Sequence, residues 1–180
     1  MRMDAGLDTG DILTTVTTPI APADNAQTLH DRLATLGAEL LVQTIPEYVA
    51  GKITPRPQPA EGSTYARKIS KEDGAIDWTQ PARFLWNRIR AFTPWPGAFT
   101  HQAAAPKPRL LKLWLAEVEP TATGAPGEIL RADSTGLVIA CGEQGLRILE
   151  LQREGGRRLT TAQYLAGHPL TPGERLGATP

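Results

Sequence analysis

The chain has 180 residues, of which 41% are apolar, and its 19 basic side chains balance 19 acidic ones. This length suits one ordinary domain or two small ones, and the apolar fraction is sufficient for a hydrophobic core. No stretch approaches the roughly 20 consecutive apolar residues of a membrane span, so a membrane protein is not expected. Cys141, the only cysteine, ends an apolar run. It cannot form an internal disulfide, and we expect a buried side chain in a cytoplasmic protein.

The charge is unevenly distributed. Residues 1–60 contain four basic and seven acidic side chains, a balance of −3, whereas residues 61–180 contain fifteen and twelve, a balance of +3. The mild basic excess is compatible with a polyanionic partner, but solvated protein surfaces often have the same composition.

The first fifty residues predict a loop, a strand and two helices. Glycines at positions 6 and 10 indicate a sharp turn around Asp8. The β-branched residues at positions 12–20 predict a strand. One helix is predicted by the spacing of Leu29, Leu33, Leu36 and Leu40, and Gly37 is expected to separate it from a second helix that Pro46 kinks.

A single strand with two amphipathic helices leaves a large apolar face uncovered. Residues 1–51 are therefore interpreted as the tail of a larger α/β domain whose earlier strands are absent from these 180 residues. Alternating prolines at residues 52–62 favour a stiff, extended linker. Residues 63–180 are expected to form a second domain.

The second part predicts a small β-barrel with accessory helices. Ala82, Leu85, Ile89 and Phe92 share one face of a predicted helix. Strands are predicted at residues 111–115, 127–132, 136–141 and 145–151, with a hairpin turn at residues 142–145. Thr160 or Thr161 is expected to cap a final short helix. The predicted fold class is α+β: an OB-like C-terminal barrel preceded by a remnant of an α/β, Rossmann-like domain.

Several segments then resemble a known family. Residues 3–13 (MDAGLDTGDIL) are similar to the signature loop of folate-dependent formyltransferases. The resemblance continues, in the order of that family, through residues 65–78, 89–98, 126–129 and 149–159. The last of these, LELQREGGRRL, resembles the final strand and turn of the methionyl-tRNA formyltransferase family. The proline-rich segment falls where that family joins its catalytic domain to its C-terminal barrel.

The resemblance implies transfer of a formyl group from 10-formyltetrahydrofolate, without a metal, to the α-amine of methionyl-initiator-tRNA. In the family an Asn, a His and an Asp share the proton transfer and the stabilisation of the tetrahedral intermediate. Asp8 matches the Asp, and the backbone around Leu7 and Asp8 matches the wall of the folate pocket. The Asn and the His have no counterpart here, so the chain is expected to be inactive alone. From spacing alone, an Asp in a glycine-rich turn is more often a turn former than a functional residue.

The tRNA would be bound by basic residues of the second part, although the same residues also fit an ordinary solvated surface. The candidates are Arg67, Lys68, Arg88, Arg90, Lys107, Arg109, Lys112, Arg157 and Arg158. Trp78 and Trp95 lie in motif turns and are expected to be core anchors rather than stacking platforms.

Two other functions remain open from the sequence. One is a related folate-dependent enzyme, either a sugar-amine formyltransferase or a formyltetrahydrofolate hydrolase. The other is a non-catalytic tRNA-binding module. The expected partners are initiator methionyl-tRNA and folate, with no membrane, and the complete protein is expected to be a monomer.

Overall fold

Two compact units make up the chain, Met1–Lys68 and Ile69–Pro180. The structure is a computed structural model, and it describes residues 1–103 and 108–177. Each unit has its own set of internal contacts. The assignment of residues 52–62 as an interdomain linker stays a prediction.

The first unit contains one long helix, α1 (Ala26–Val49). Asn25 caps it, because its side chain accepts from the Thr28 N–H at 3.0 Å while Thr28 Oγ1 accepts from the Asn25 N–H at 3.0 Å. The prediction of two helices divided at Gly37 is wrong. A glycine inside a long run of helix-forming residues costs only about 1 kcal/mol, which does not end the helix. Pro46 is accommodated near the C-terminal end, where its carbonyl still accepts from the Ala50 N–H at 3.0 Å.

Asp24 fastens the segment before α1 to the helix itself. Its carboxylate accepts from Arg32 Nη2 at 2.6 Å and from the Ala21 N–H at 2.7 Å. The hydrogen bond from Arg32 is the largest cause that lowers the pKa of Asp24 to about 2, and the Ala21 N–H adds to it. The ionised carboxylate is therefore the form that the fold stabilises.

The predicted strand at residues 12–20 is wrong. Only Ile12 pairs, forming an isolated antiparallel bridge with Arg56 through reciprocal backbone hydrogen bonds of 2.8 and 2.9 Å. β-Branched composition favours a strand only where a neighbouring strand can take its hydrogen bonds. Within the described residues of this unit, no strand lies beside residues 13–20.

Helix α1 has an unusually exposed apolar surface. None of its apolar side chains is buried, and Leu41, Val42 and Ile45 are each more than half exposed. A surface helix normally buries such a stripe against the rest of its domain.

The second unit is built on an antiparallel sheet. Its described residues form seven strands: β1 (Ala98–Gln102), β2 (Arg109–Glu119), β3 (Ile129–Asp133), β4 (Gly136–Ala140), β5 (Gly145–Arg153), β6 (Arg158–Thr160) and β7 (Leu176–Gly177). They follow the order β3-β4-β5-β2-β1-β7 in the sheet, and β6 pairs with β5.

The sheet curls until its two edges meet. The segment that enters β3 bonds to the segment that enters β7: Ile129 N–H donates to the Glu174 carbonyl and Leu176 N–H to the Gly127 carbonyl, both at 2.8 Å. Register shifts near Leu115 in β2 add the local bend that curling requires. The predicted barrel-like sheet is confirmed.

The described residues of this unit also form two helices and a short 3₁₀ turn: α2 (Ala82–Ala91), α3 (Thr161–Gly167) and Glu72–Gly74. The predicted inner face of α2 is confirmed at Ala82, Leu85 and Ile89, which are buried in the same apolar cluster as the inward residues of β2, β4 and β5. Phe92, the fourth predicted residue, follows the helix and is half-buried. Thr160 caps α3, as one of the two predicted alternatives, by accepting from the Gln163 N–H at 3.3 Å.

Most of the sequence-predicted elements of this unit are present, and the differences lie in short strands and one tryptophan. The strands β1, β6 and β7 were not predicted. Trp78 is buried as expected, with its Nε1 donating to Thr100 Oγ1 at 3.0 Å, but Trp95 is 56% exposed and is not a core anchor. Cys141 is buried, and burial raises the pKa of its thiol to about 12.

Candidate functional site

The loop around Asp8 is held by contacts between its two ends and by hydrogen bonds from a side chain outside the loop. At the base, Arg2 N–H donates to the Asp11 carbonyl at 2.8 Å, and the two side chains form an ion pair at 2.8 Å. From the side, Gln58 Nε2 donates to the carbonyls of Asp8 at 2.7 Å and Gly10 at 2.8 Å. The backbone of residues 8–10 is thus held by a side chain from the proline-rich segment.

Gly10 is required by the way this loop closes. It is buried, and a Cβ at this position would collide with the main-chain carbonyl of Arg2. No side chain can be added there without opening the base of the loop.

Asp8 occupies the exposed tip of the loop with φ of 52°, in the left-handed region. Aspartate tolerates this region better than most residues do. Within the described residues, its carboxylate makes no hydrogen bond or ion pair, while its carbonyl is fixed by Gln58. Leu7 beside it is 76% exposed. The loop therefore presents a carboxylate and an apolar side chain from a fixed backbone, as required for a group that orients a proton-transfer partner.

The basic residues predicted to bind nucleic acid are placed in different ways. Lys107 lies outside the described residues. Arg67 and Lys68 are exposed at the end of the first unit, where Arg67 Nη1 donates to the Lys68 carbonyl at 3.0 Å. Arg88 is turned into the second unit, because its guanidinium donates to the Asp73 carbonyl and lies 4.9 Å from the Phe92 ring. Arg88 thus has a structural contact that its sequence position did not indicate.

Lys112 and Arg158 are brought together around Trp114. The three strands β2, β5 and β6 place Lys112, Gln152 and Arg158 in register. Lys112 Nζ lies 6.0 Å and the Arg158 guanidinium 5.3 Å from the centre of the Trp114 ring, whose Nε1 donates to Gln152 Oε1 at 2.9 Å. We call Lys112, Trp114, Gln152 and Arg158 the Trp114 platform.

Arg90 belongs to a similar arrangement on α2. Its guanidinium lies 4.0 Å from the centre of the Trp86 ring, and that of Arg83 lies 4.8 Å from the same ring. An indole beside guanidinium groups offers a ring on which a base can stack and positive charge that attracts the phosphate backbone. Proteins that bind single-stranded nucleic acids combine these two features. From the sequence, Trp86 and Trp114 were possible stacking platforms, whereas Arg83 was not a candidate. The i, i+3 and i+7 spacing of Arg83, Trp86 and Arg90 is the signal that could have revealed Arg83.

Arg109 and Arg157 lie near α3 instead. Arg157 lines a cavity with Arg153, Tyr164 and His168. The phenol of Tyr164 has a raised pKa because of burial, which Arg109 and Arg153 partly offset. Sequence reasoning missed Arg153 and His168, since their proximity depends on the packing of α3 against β5 and β6.

Within residues 1–103 and 108–177, no cluster of three or more His, Cys, Asp or Glu side chains could hold a metal ion. Over the same residues, no helix combines the length and the apolar character needed to cross a bilayer.

The second unit, with its curled sheet, matches a known protein family. A model of the family described as "Formyl transferase, C-terminal domain" matches residues 68–169. That match covers more than half of the chain, and the chain belongs to this family. The resemblance drawn from the sequence motifs is confirmed.

Curated relatives match along the whole chain. It is 49% identical to the methionyl-tRNA formyltransferase of Acidovorax ebreus, with 100% of this chain and 56% of the relative covered. It is 47% identical to that of Geobacter sulfurreducens, with 98% and 54% covered. The chain spans about half the length of the curated relatives it matches.

Solved structures share the fold. A variant of HypX from Aquifex aeolicus superposes with a TM-score of 0.63 at 20% identity, covering 96% of this chain and 30% of HypX. HypX in complex with tetrahydrofolic acid gives a TM-score of 0.60 at 21% identity, covering 90% of this chain and 28% of HypX. At this identity the similarity concerns the fold alone.

Proposed function

We propose that this chain forms part of a methionyl-tRNA formyltransferase, which transfers a formyl group from 10-formyltetrahydrofolate to the amine of methionyl-initiator-tRNA in the cytoplasm. The observation that carries the proposal is the 49% identity to the Acidovorax ebreus enzyme across the entire chain, the Asp8 loop included. The relatives from Aromatoleum aromaticum and Geobacter sulfurreducens, which are 46% and 47% identical to this chain, are methionyl-tRNA formyltransferases as well.

In this proposal Asp8 supplies the carboxylate of the reaction centre. As the amine attacks the formyl carbon, it must lose a proton, and an oxyanion develops on the formyl oxygen. The Asp8 carboxylate orients the group that accepts the proton and stabilises the positive charge that forms on it. The fixed carbonyls of Asp8 and Gly10 and the exposed Leu7 side chain support this role, since they give the carboxylate one position beside an apolar surface.

The second unit binds the tRNA in this proposal. The Trp114 platform supplies two cations and an indole on one outer face, and the pair Arg83 and Arg90 with Trp86 supplies another. Arg109 and Arg157 add exposed positive charge in the second unit, and Arg67 and Lys68 do so at the end of the first unit. Arg88 contributes by positioning the turn at Asp73 rather than by touching RNA.

A chimera tests the proposal. The part of the Acidovorax ebreus enzyme that aligns with this chain is replaced by residues 1–180, and formyl-methionyl-tRNA formation is measured with initiator tRNA and 10-formyltetrahydrofolate. We expect formylation well above background from the chimera and none from the 180-residue chain alone, because the chain lacks the family's Asn and His. A folded chimera that binds initiator tRNA yet transfers no formyl group would contradict the proposal.

A further inference from the structure

The turn between β5 and β6 holds two arginines at the rim of the barrel. Arg153 ends β5 and Arg157 directly precedes β6. The turn between them is fixed by Gly156 N–H, which donates to the Arg153 carbonyl at 2.9 Å, and by Gln152 Nε2, which donates to the Gly156 carbonyl at 2.7 Å. Gly155 has φ of 69°, which a residue with a side chain adopts at a cost. The backbone positions of the two arginines are therefore fixed relative to each other.

A cavity of about 190 Å³ lies against this turn. Leu159 and Gly156 form part of its wall, and α3 contributes the remainder through Tyr164 and His168. Tyr164 is 1% exposed, and the two rings are tilted against each other with their centres 5.2 Å apart. Two packed aromatic rings from α3 and two arginine side chains from the turn therefore line the cavity.

The cavity wall includes two arginines and no acidic side chain among the described residues. Among the described residues, neither Arg153 nor Arg157 forms an ion pair, in contrast to Arg158, which pairs with Glu150. Arg109 lies close enough to influence Tyr164 as well. The acidic residue of the turn, Glu154, is exposed and makes no ion pair with either arginine in the described part of the chain. Guanidinium groups match the geometry of phosphate oxygens and bind them through two parallel hydrogen bonds.

We propose that this cavity is a binding site for a single phosphate group, held by Arg153 and Arg157 with His168 as a third donor. Its volume is below the range of roughly 300–1,000 Å³ typical of pockets for drug-sized ligands, so it suits a phosphate rather than a whole nucleotide or a pterin. The phosphate can belong to a small phosphate ester or to the backbone of an RNA. Both sources present the same tetrahedral oxygens to the arginines.

Inorganic phosphate is the first probe. It is titrated into the 180-residue chain at constant ionic strength, and the amide signals of Gly155 and Gly156 are followed by NMR. We expect saturable shifts confined to the turn and to α3. Arg153→Gln and Arg157→Gln should each weaken binding by about tenfold, the effect of losing one charge-assisted hydrogen bond. Arg131→Gln is the matched control, since Arg131 pairs with Glu119 at 3.7 Å on β3, and it should leave the affinity unchanged.

The source of the phosphate is distinguished with a short single-stranded RNA. If the two glutamine variants weaken the binding of both RNA and inorganic phosphate, the site binds a backbone phosphate of RNA. If they weaken the binding of inorganic phosphate alone, the site binds a small phosphate ester. Arg157→Lys keeps the positive charge but cannot form the two parallel hydrogen bonds of a guanidinium group. Its affinity for either ligand should therefore lie between those of the wild type and Arg157→Gln. Linear, unsaturated shifts in the wild-type chain, or equal affinity in wild type and a folded Arg157→Gln variant, would overturn the proposal. Formyl transfer does not enter this readout, so the cavity and the proposed function can fail separately.

Discussion

The side-chain amide of Gln58 holds the main-chain carbonyl of Asp8 at 2.7 Å across fifty positions of sequence. The same nitrogen also donates to Gly10 at 2.8 Å. The loop that carries the proposed reaction carboxylate is therefore built by two segments of the first unit. One is the glycine-rich turn, and the other is the proline-rich stretch that pairs with Ile12 through Arg56.

Gly10 and Gly37 provide a matched pair of glycine substitutions. Gly10→Ala should disturb the Asp8 loop and lower formylation by the chimera, because its Cβ would collide with the Arg2 carbonyl. Gly37→Ala should stabilise α1 by about 0.5–1 kcal/mol, since Gly37 is inside the helix and a Cβ there meets nothing within 4 Å. Thermal unfolding and formylation rates of both variants check this. If the Gly10→Ala chimera keeps full activity, the Asp8 loop can move away from the Arg2 carbonyl without loss of function.

The ion pair of Asp24 with Arg32 predicts a pH-dependent stability of the first unit. The pKa of Asp24 is lowered from 3.8 to about 2, with the hydrogen bond from Arg32 as the largest cause and the Ala21 N–H adding to it. A lowered folded-state pKa means that the contribution is fully present above the unfolded-state pKa and is lost as pH falls through the folded-state value. The stability difference between wild type and Asp24→Asn should therefore be constant above about pH 5 and shrink between about pH 4 and 2.

Amide exchange of α1 at several pH values measures this difference. Asp31→Asn is the control, because Asp31 is exposed on the same helix and, among the described residues, its carboxylate accepts a hydrogen bond only from Gln27, at 2.7 Å. A wild-type advantage over Asp24→Asn that persists unchanged at pH 2 would contradict the assignment.

How far the sequence predicts this structure depends on the range of the interactions. The inner face of α2 and the hairpin strands β4 and β5 follow from local periodicity, and they were predicted. The strand predicted at residues 12–20 is wrong. The segment has the β-branched composition of a strand, but among the described residues no neighbouring strand takes up its hydrogen bonds. Gln58 was interpreted as a linker residue, since nothing in a single sequence connects positions fifty apart. The grouping of Arg158 with Trp114 depends likewise on strand register.

The Trp114 platform makes a prediction about RNA binding. Trp114→Ala should weaken binding of initiator tRNA to the isolated chain by about 1–3 kcal/mol, the usual value of a base–aromatic contact. Lys112→Gln should lower the slope of log affinity against log salt by about one, the effect of one lost phosphate contact. Trp95→Ala is the matched control, because Trp95 is 56% exposed and lies outside the platform. If Trp95→Ala and Trp114→Ala weaken tRNA binding equally, the Trp114 platform does not contact the tRNA.

The two units should differ in local stability. All five residues of β4 and four of the nine in β5 are buried, whereas α1 buries only Thr44. An apolar side chain left exposed forgoes roughly 1.5–3 kcal/mol of burial, so several such side chains approach the stability of a small domain. Hydrogen exchange on the 180-residue chain should be slow at residues 136–151 and much faster in α1. Equally slow exchange in both, in a monomer, would mean that α1 has a core of its own.

The substitution Asp8→Asn in the chimera tests most directly whether this chain supplies the carboxylate of a formyl-transfer centre. The amide keeps the shape of the side chain but cannot stabilise positive charge on a proton-accepting partner. We expect kcat to fall by about 10²–10⁴-fold, the usual contribution of a positioned acid–base group, with little change in KM for methionyl-tRNA. Asp31→Asn should retain full turnover. An Asp8→Asn chimera with near-normal kcat would contradict the account, because Asp8 would then only shape the turn.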